Sequence, residues 1–262
     1  MFYLFTKLVS IDFDFDGEIA LDPDQDGLIT ITRDTIFNTL NVTDMSYMFH
    51  GTSSLAAVDV SKWDTGKVTN MRGLFWMAES LSTIDVSNWD TSNVTNMYAM
   101  FETTSSLTAL DVSNWDTSKV TDMSYMFQGA SSLTTLDLSG LDTGSVTNMS
   151  YMFLGDRALT TLDVSSWDTS NVTNMFSMFR SASALTAVDV SKWNTGNVTD
   201  MSDMFYDTPA LASLDVSKWN TGNVTNMSEL FYGARTLTTL DLTGWDTSNV
   251  TNMSYMFYNM SF

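Results

Sequence analysis

Two runs near the start of the chain carry carboxylates at the spacing a hard cation requires. Asp12-x-Asp14-x-Asp16-Gly17 and Asp22-x-Asp24-x-Asp26-Gly27 each place three carboxylates at alternate positions before a glycine. That order resembles the front half of a calcium loop, where alternate oxygens converge on the ion and glycine permits the sharp turn. The bidentate glutamate due at the twelfth position is absent, since Pro23 and Arg33 stand there. Asp22, Asp24 and Asp26 are the better Ca2+ candidates, because Asp12, Asp14 and Asp16 alternate with Phe13 and Phe15 and equally suit the wet face of a strand.

Other reactive chemistry is scarce. The 262 residues hold one histidine, His50, and no cysteine, so thiolate ligands, disulfides and a cysteine nucleophile are excluded. No serine or lysine falls into a catalytic constellation with His50, and the expectation is a protein that is not an enzyme. A formal charge of −20 opposes nucleic-acid binding, which relies on Lys and Arg displacing counterions. No segment has the roughly 18–20 consecutive apolar residues of a membrane span, so membrane insertion is not expected.

The element that must position everything else is a repeat. A Val-Thr pair recurs at Val42, Val68, Val94, Val120, Val146, Val172, Val198, Val224 and Val250, every 26 residues without insertion or deletion. Such a period signals a solenoid built by stacking one supersecondary unit. Residues 1–28 fall outside it and read as a β-rich N-terminal cap, with a strand over Tyr3–Phe15 and a second over Leu28–Thr32. Residues 29–262 are the solenoid: 29–54 a degenerate first repeat, 55–262 the regular ones.

Within a unit, Leu81-x-x-Ile84-x-Val86 predicts a short strand. Val94-x-x-Met97-x-x-Met100-Phe101 has spacings that line one face of a short helix, with Ser92 or Thr95 as its cap. Gly129, Gly155 and Gly233 suit helix stops. The expected fold class is thus an α/β repeat solenoid, LRR-like, with stacked strand–turn–short-helix units and a parallel β-sheet. The chain stops at Phe262, one residue before the next leucine is due. That open end predicts head-to-tail self-assembly, including fibres.

Each column has its own chemistry. Sixteen of the 19 methionines fall in two columns beside an invariant phenylalanine, which makes methionine a core filler. Trp63, Trp89, Trp115, Trp167, Trp193, Trp219 and Trp245 form another column, with Leu141 in one place. Leucine there argues for burial, and sugar stacking on exposed indoles is the functional alternative. Asp59, Asp85, Asp111, Asp137, Asp163, Asp189, Asp215 and Asp241 never change to asparagine. At about 5 Å spacing, neighbours repel by roughly 1 kcal/mol even in water. Backbone donors, hydroxyls or cations must offset that, or the column is an acidic binding strip. A second acidic column from Asp64 to Asp246 admits Asn194 and Asn220, so its acceptor oxygen matters more than its charge.

Threonine ladders over Thr65–Thr247 and Thr43–Thr251 raise ice binding as an alternative. Asn41, Asn93, Asn171, Asn197, Asn223 and Asn249 open N-x-Thr sequons that recur with the repeat. Variation collects just after the Met-Phe pair, where Tyr206, Tyr232 and Tyr258 make an aromatic row and a candidate partner surface.

The unit LxxLDVSxWDTSxVTxMxxMF, from Leu55 through Phe257, resembles the repeat of BspA-like leucine-rich-repeat surface proteins, also known from mycoplasma-type lipoproteins. The resemblance implies a non-catalytic extracellular or cell-surface protein, adhesive or structural. Its partners would then be itself, a host or cell-surface protein, or a glycan.

Overall fold

The computed structural model describes residues 10–11 and 38–261. The candidate cation ligands Asp12, Asp14, Asp16, Asp22, Asp24 and Asp26 lie outside the described residues. So do most of the expected cap and the start of the degenerate repeat.

Parallel pairing at the repeat period builds the solenoid. The strands are β1 (Ser10–Ile11), β2 (Ala57–Val58), β3 (Ala109–Asp111), β4 (Thr135–Asp137), β5 (Thr161–Leu162) and β6 (Ala187–Val188). β1 pairs with β2, β3 with β4 and β5 with β6, all parallel. In the latter two pairs equivalent residues face one another: Leu110 meets Leu136, and Leu162 meets Val188. A second line of parallel bridges joins Asp44 to Asn70, Asn70 to Asn96, and so on to Asn252. Two such lines hold each layer a strand spacing, about 4.8 Å, from the next.

Between these lines the expected helix is absent: no described residue is helical. The segment after each Val-Thr pair is a ribbon of consecutive β-turns. In one layer the N–H groups of Met100, Glu102 and Thr104 bond the carbonyls of Met97, Ala99 and Phe101, three residues back. The alternate N–H groups, of Met97, Ala99, Phe101 and Thr103, instead bond Asp122, Ser124, Met126 and Gln128 of the next layer. Half the donors close turns and half run along the solenoid axis, so every one is satisfied.

The physical reason is the layer spacing. An α-helix needs a diameter of about 10 Å, whereas adjacent Phe rings on this side are 5.2 to 6.0 Å apart. The turn ribbon is thin enough to stack, and it still points Val94, Met97, Met100 and Phe101 inward. Ser92 and Thr95 consequently cap nothing. Ser92 donates its N–H to Asp90, and the Thr95 hydroxyl bonds the Thr69 carbonyl.

The ribbon imposes a backbone cost. The turns that close at Met100 and Thr104 hold a positive φ at the third but not the second residue, the type II pattern. Ala99 at 55° and Thr103 at 58° supply it in one layer, and Gly129, Gly155 and Gly233 in others. These glycines therefore serve β-turns and do not stop helices. Among the described residues thirteen that are not glycine hold φ between 50° and 62°. Left-handed backbone costs such residues about 1–2 kcal/mol each, so axial bonding and burial must outweigh it in layer after layer.

The core is a set of ladders. Leu81, Val94, Met97, Met100 and Phe101 are fully buried, as are their counterparts in the interior layers. Phenylalanine rings stack on one another, and most also meet the Trp 14 residues on, as in Phe49–Trp63 and Phe75–Trp89. Indoles stack nearly parallel, 6.2 to 6.3 Å apart.

Candidate functional surface

The exposed columns follow from how each layer closes its turns. Each Asp of the Asp59–Asp241 column accepts the N–H and hydroxyl of the Ser or Thr two residues on. Asp163 receives the Ser165 N–H at 3.1 Å and its hydroxyl at 2.7 Å, and Asp241 receives Thr243 likewise. These bonds hold the carboxyls of Asp59, Asp111, Asp137, Asp163, Asp189, Asp215 and Asp241 below their ordinary range. Hydroxyl and backbone donors are thus the offset to the repulsion along this strip. Each such Asp is a bracket for the turn that follows the strand.

The second acidic column works in the same way. Asp90 takes the Ser92 N–H at 3.0 Å and Asn194 takes the Gly196 N–H at 3.1 Å, which explains why asparagine can replace aspartate. A third column of this kind, Asp44 through Asn252, brackets the start of the turn ribbon. Asn96 accepts the Tyr98 N–H at 2.9 Å, and Asp200 accepts that of Ser202. Sequence reasoning missed this column, although its unbroken Asp/Asn pattern was the available signal.

The threonine ladders are bonded too. The Thr65–Thr221 hydroxyls are buried and donate to the following layer, as from Thr91 to the Asp116 carbonyl at 2.9 Å. The exposed Thr69–Thr251 hydroxyls donate to the preceding layer, as from Thr173 to the Thr147 carbonyl at 3.2 Å. Their protons point along the solenoid, so only oxygen lone pairs face outward.

Asparagines of the sequon column form a similar ladder. The amide nitrogens of Asn93, Asn171, Asn197, Asn223 and Asn249 donate to carbonyls 27 residues earlier. Asn41 accepts the Lys67 ammonium.

The column tryptophans from Trp63 to Trp219 are core residues, which corrects the alternative of sugar stacking on exposed indoles. Trp89, Trp115, Trp193 and Trp219 are 2–3 % exposed. Their indole N–H groups are used as well: Trp115 donates to the Val86 carbonyl at 3.1 Å and Trp219 to Val190 at 3.2 Å. Where Leu141 replaces Trp the pattern breaks locally. The next indole, Trp167, keeps a buried N–H without an acceptor, and a Cβ on Gly140 would lie 1.9 Å from the Ser113 carbonyl oxygen.

Three buried acids lie on the turn side: Glu102, Asp156, and Asp203, the last paired with Arg180. Glu102 is 9 % exposed, and desolvation pushes its carboxyl up to about 7. Asp156 is fully buried, and desolvation raises it well above the carboxylate range. Its column otherwise holds Thr52, Ala78, Thr104, Ala130, Ala182, Thr208, Ala234 and Met260. The threonine hydroxyls there bond a carbonyl three residues back, as from Thr104 to Phe101 at 2.8 Å. Asp156 was legible as an outlier in that column. His50, the sole histidine, has its Nδ1 3.1 Å from the Trp76 carbonyl and its ring 4.6 Å from the Trp76 ring.

Outside these brackets the turn face carries two aromatic rows. Tyr98, Tyr125, Tyr151 and Phe176 follow one another at 4.4 to 5.3 Å between centroids, with the Arg72 guanidinium 3.8 Å above the Tyr98 ring. Further along, Tyr206 stacks on Tyr232 at 4.5 Å and Tyr232 on Tyr258 at 5.1 Å. The Arg180 guanidinium lies 3.9 Å over Tyr206 and pairs with Asp203. Tyr206, Glu229, Tyr232, Tyr255 and Tyr258 line a hollow of about 330 Å3. The sequence row Tyr206–Tyr232–Tyr258 is therefore one continuous stack, and Tyr255 and Glu229 are neighbours that sequence reasoning did not name. Among the described residues no cluster of three His, Cys, Asp or Glu side chains could hold a metal ion. The described residues form no helix long and apolar enough to cross a membrane.

Residues 29–110, 105–188 and 183–262 match the family described as Mycoplasma protein of unknown function, DUF285. The chain belongs to that family. Comparison with curated proteins finds no match. Among solved structures the chain is similar to an internalin (InlF) from Listeria monocytogenes, at 10 % identity and a TM-score of 0.26, over 80 % of this chain and 76 % of that one.

Proposed function

We propose that this DUF285 chain is a non-catalytic, protein-binding repeat module of the BspA-like kind, working outside the cell or at its surface and engaging a partner through its turn face. The observation that carries the reading is the Tyr206–Tyr232–Tyr258 stack. Rings pre-stacked on a rigid ladder offer large contact area at little further entropic cost, which is why tyrosine is favoured in binding surfaces. The polar columns support the same choice by contrast, because their donors are already spent on internal brackets.

The test is adhesion of the purified chain to host cells or immobilised matrix proteins. A Tyr232→Ser/Tyr258→Ser variant should lose at least tenfold in half-saturating concentration, and Asp163→Asn/Asp189→Asn should not. Equal binding by the tyrosine variant sinks the reading. Fibre formation is the structural alternative, and electron microscopy of concentrated protein with and without Ca2+ separates it from adhesion. Ice binding rests on the exposed Thr69–Thr251 hydroxyls and predicts thermal hysteresis.

A further inference from the structure

The repeat places equivalent atoms in neighbouring layers, so one layer can show what another lacks. In one layer Asp203 and Tyr206 together hold the guanidinium of Arg180, which pairs with the carboxylate and lies 3.9 Å over the ring. Twenty-six residues on, the counterparts of Asp203 and Tyr206 are Glu229 and Tyr232. The counterpart of Arg180, however, is Tyr206 itself, whose ring stacks on Tyr232. Glu229 therefore keeps the carboxylate's place without the cation, and no Lys or Arg among the described residues forms an ion pair with it. Glu229 is only half-exposed and borders the hollow with Tyr206, Tyr232, Tyr255 and Tyr258. The far side is open, with Tyr255 61 % and Tyr258 55 % exposed.

We propose that this hollow receives an arginine side chain from a partner protein, its guanidinium stacked on the exposed Tyr255 or Tyr258 ring and paired with Glu229. The inference rests on the protein-binding reading above and adds the chemistry of the residue recognised. Three observations converge on it. The hollow sets the exposed Tyr255 and Tyr258 rings beside one carboxylate, the combination that favours a planar cation over a compact ammonium. The chain itself twice puts arginine on this face, with Arg180 over Tyr206 and Arg72 over Tyr98. The formal charge of −20 raises the local concentration of a basic partner.

The experiment is an NMR titration of the full chain carrying ring-labelled tyrosine. The probes are the capped tripeptides Gly-Arg-Gly, Gly-Lys-Gly and Gly-citrulline-Gly. The arginine peptide should shift the Tyr255 and Tyr258 ring signals saturably, with a Kd at least tenfold below that of the citrulline peptide and several-fold below that of lysine. Glu229→Gln should weaken arginine about tenfold and leave citrulline unchanged, with an unaltered near-UV spectrum showing an intact fold. Tyr255→Ser, on an exposed ring, should weaken the arginine peptide with the fold equally intact. Equal binding of arginine and citrulline, equal binding of arginine and lysine, no saturable shift, or no effect of Glu229→Gln each overturns the proposal. If Tyr232→Ser/Tyr258→Ser still abolishes cell or matrix binding while the arginine preference is absent, this inference fails alone. If arginine is preferred and adhesion is unaffected, the protein-binding reading fails instead.

Discussion

The strand side and the turn side of each layer solve the same problem by opposite means. Both must stack at a strand spacing, and both must satisfy every backbone donor. The strand side uses parallel pairing with extended backbone, then closes each turn with an Asp–Ser bracket such as Asp163–Ser165. The turn side instead alternates turn bonds with axial bonds and accepts left-handed residues such as Ala99. One side thereby spends side chains to make its turns. The other spends backbone strain, which leaves its outward side chains free to vary. That is why the aromatic rows, Arg72, Arg180 and the three buried acids sit on the turn side.

The contrast can be broken most directly through the core it shares. Phe153→Ala removes a ring stacked on Phe127, Phe179 and Trp167, and should cost about 3–5 kcal/mol in chemical denaturation. A loss below about 1 kcal/mol would show that the turn-side ladder is not the spine of the fold.

Asp156→Thr should stabilise, because threonine in that column bonds a carbonyl three residues back and carries no charge. The gain should be about 1–3 kcal/mol at neutral pH. The sign with pH follows from burial: the folded carboxyl lies above its unfolded value. Its penalty is therefore absent below about pH 3.9 and grows as pH rises above it. Urea denaturation at pH 4 and pH 7 should show the larger gain at pH 7, and an equal gain at both would refute a desolvated acid. Glu102→Gln makes the same comparison in a narrower window. The wild-type loss of stability between the unfolded glutamate value and about pH 7 should flatten in the variant.

Ser181→Gly relieves a φ of 57° at a place where Gly129, Gly155 and Gly233 stand in other layers. It should stabilise by about 0.5–1 kcal/mol, read as a raised denaturation midpoint. Destabilisation would mean that the turn ribbon is not strained there.

On the strand side the effect should be smallest. Asp163→Asn keeps the acceptor for Ser165 while removing the charge, and should change stability by less than about 0.5 kcal/mol at physiological salt. For the acidic column the sign is opposite to that of Asp156. Depressed carboxyls contribute stability above their unfolded value, and it is lost as pH falls through the folded one.

Much of this was legible beforehand, and the exceptions share a cause. Leu81, Trp89, Val94, Met97 and Phe101 announced themselves as core because apolar residues recur at one register. The Asp column announced a structural offset, and its Ser and Thr partners stood two residues away. The helix at Val94–Phe101 was misread because spacings of three, three and one suit a helical stripe and a ribbon of β-turns equally. What separates them is the distance to the neighbouring layer, which no single repeat contains. Tyr206, Tyr232 and Tyr258 could be named as a row, but Glu229 and Tyr255 enter the hollow only through the path of the left-handed turns.

The sequence by itself determined the period, the register and the identity of the buried columns, since an exact 26-residue repeat forces equivalent residues into contact wherever layers stack. Tertiary structure decided the backbone between the strands. With layers about 5–6 Å apart at the phenylalanine ladder, a helix about 10 Å wide has no room, and alternating donors must reach the next layer. The same stacking set Arg180 on Tyr206 and left Glu229 beside an open hollow.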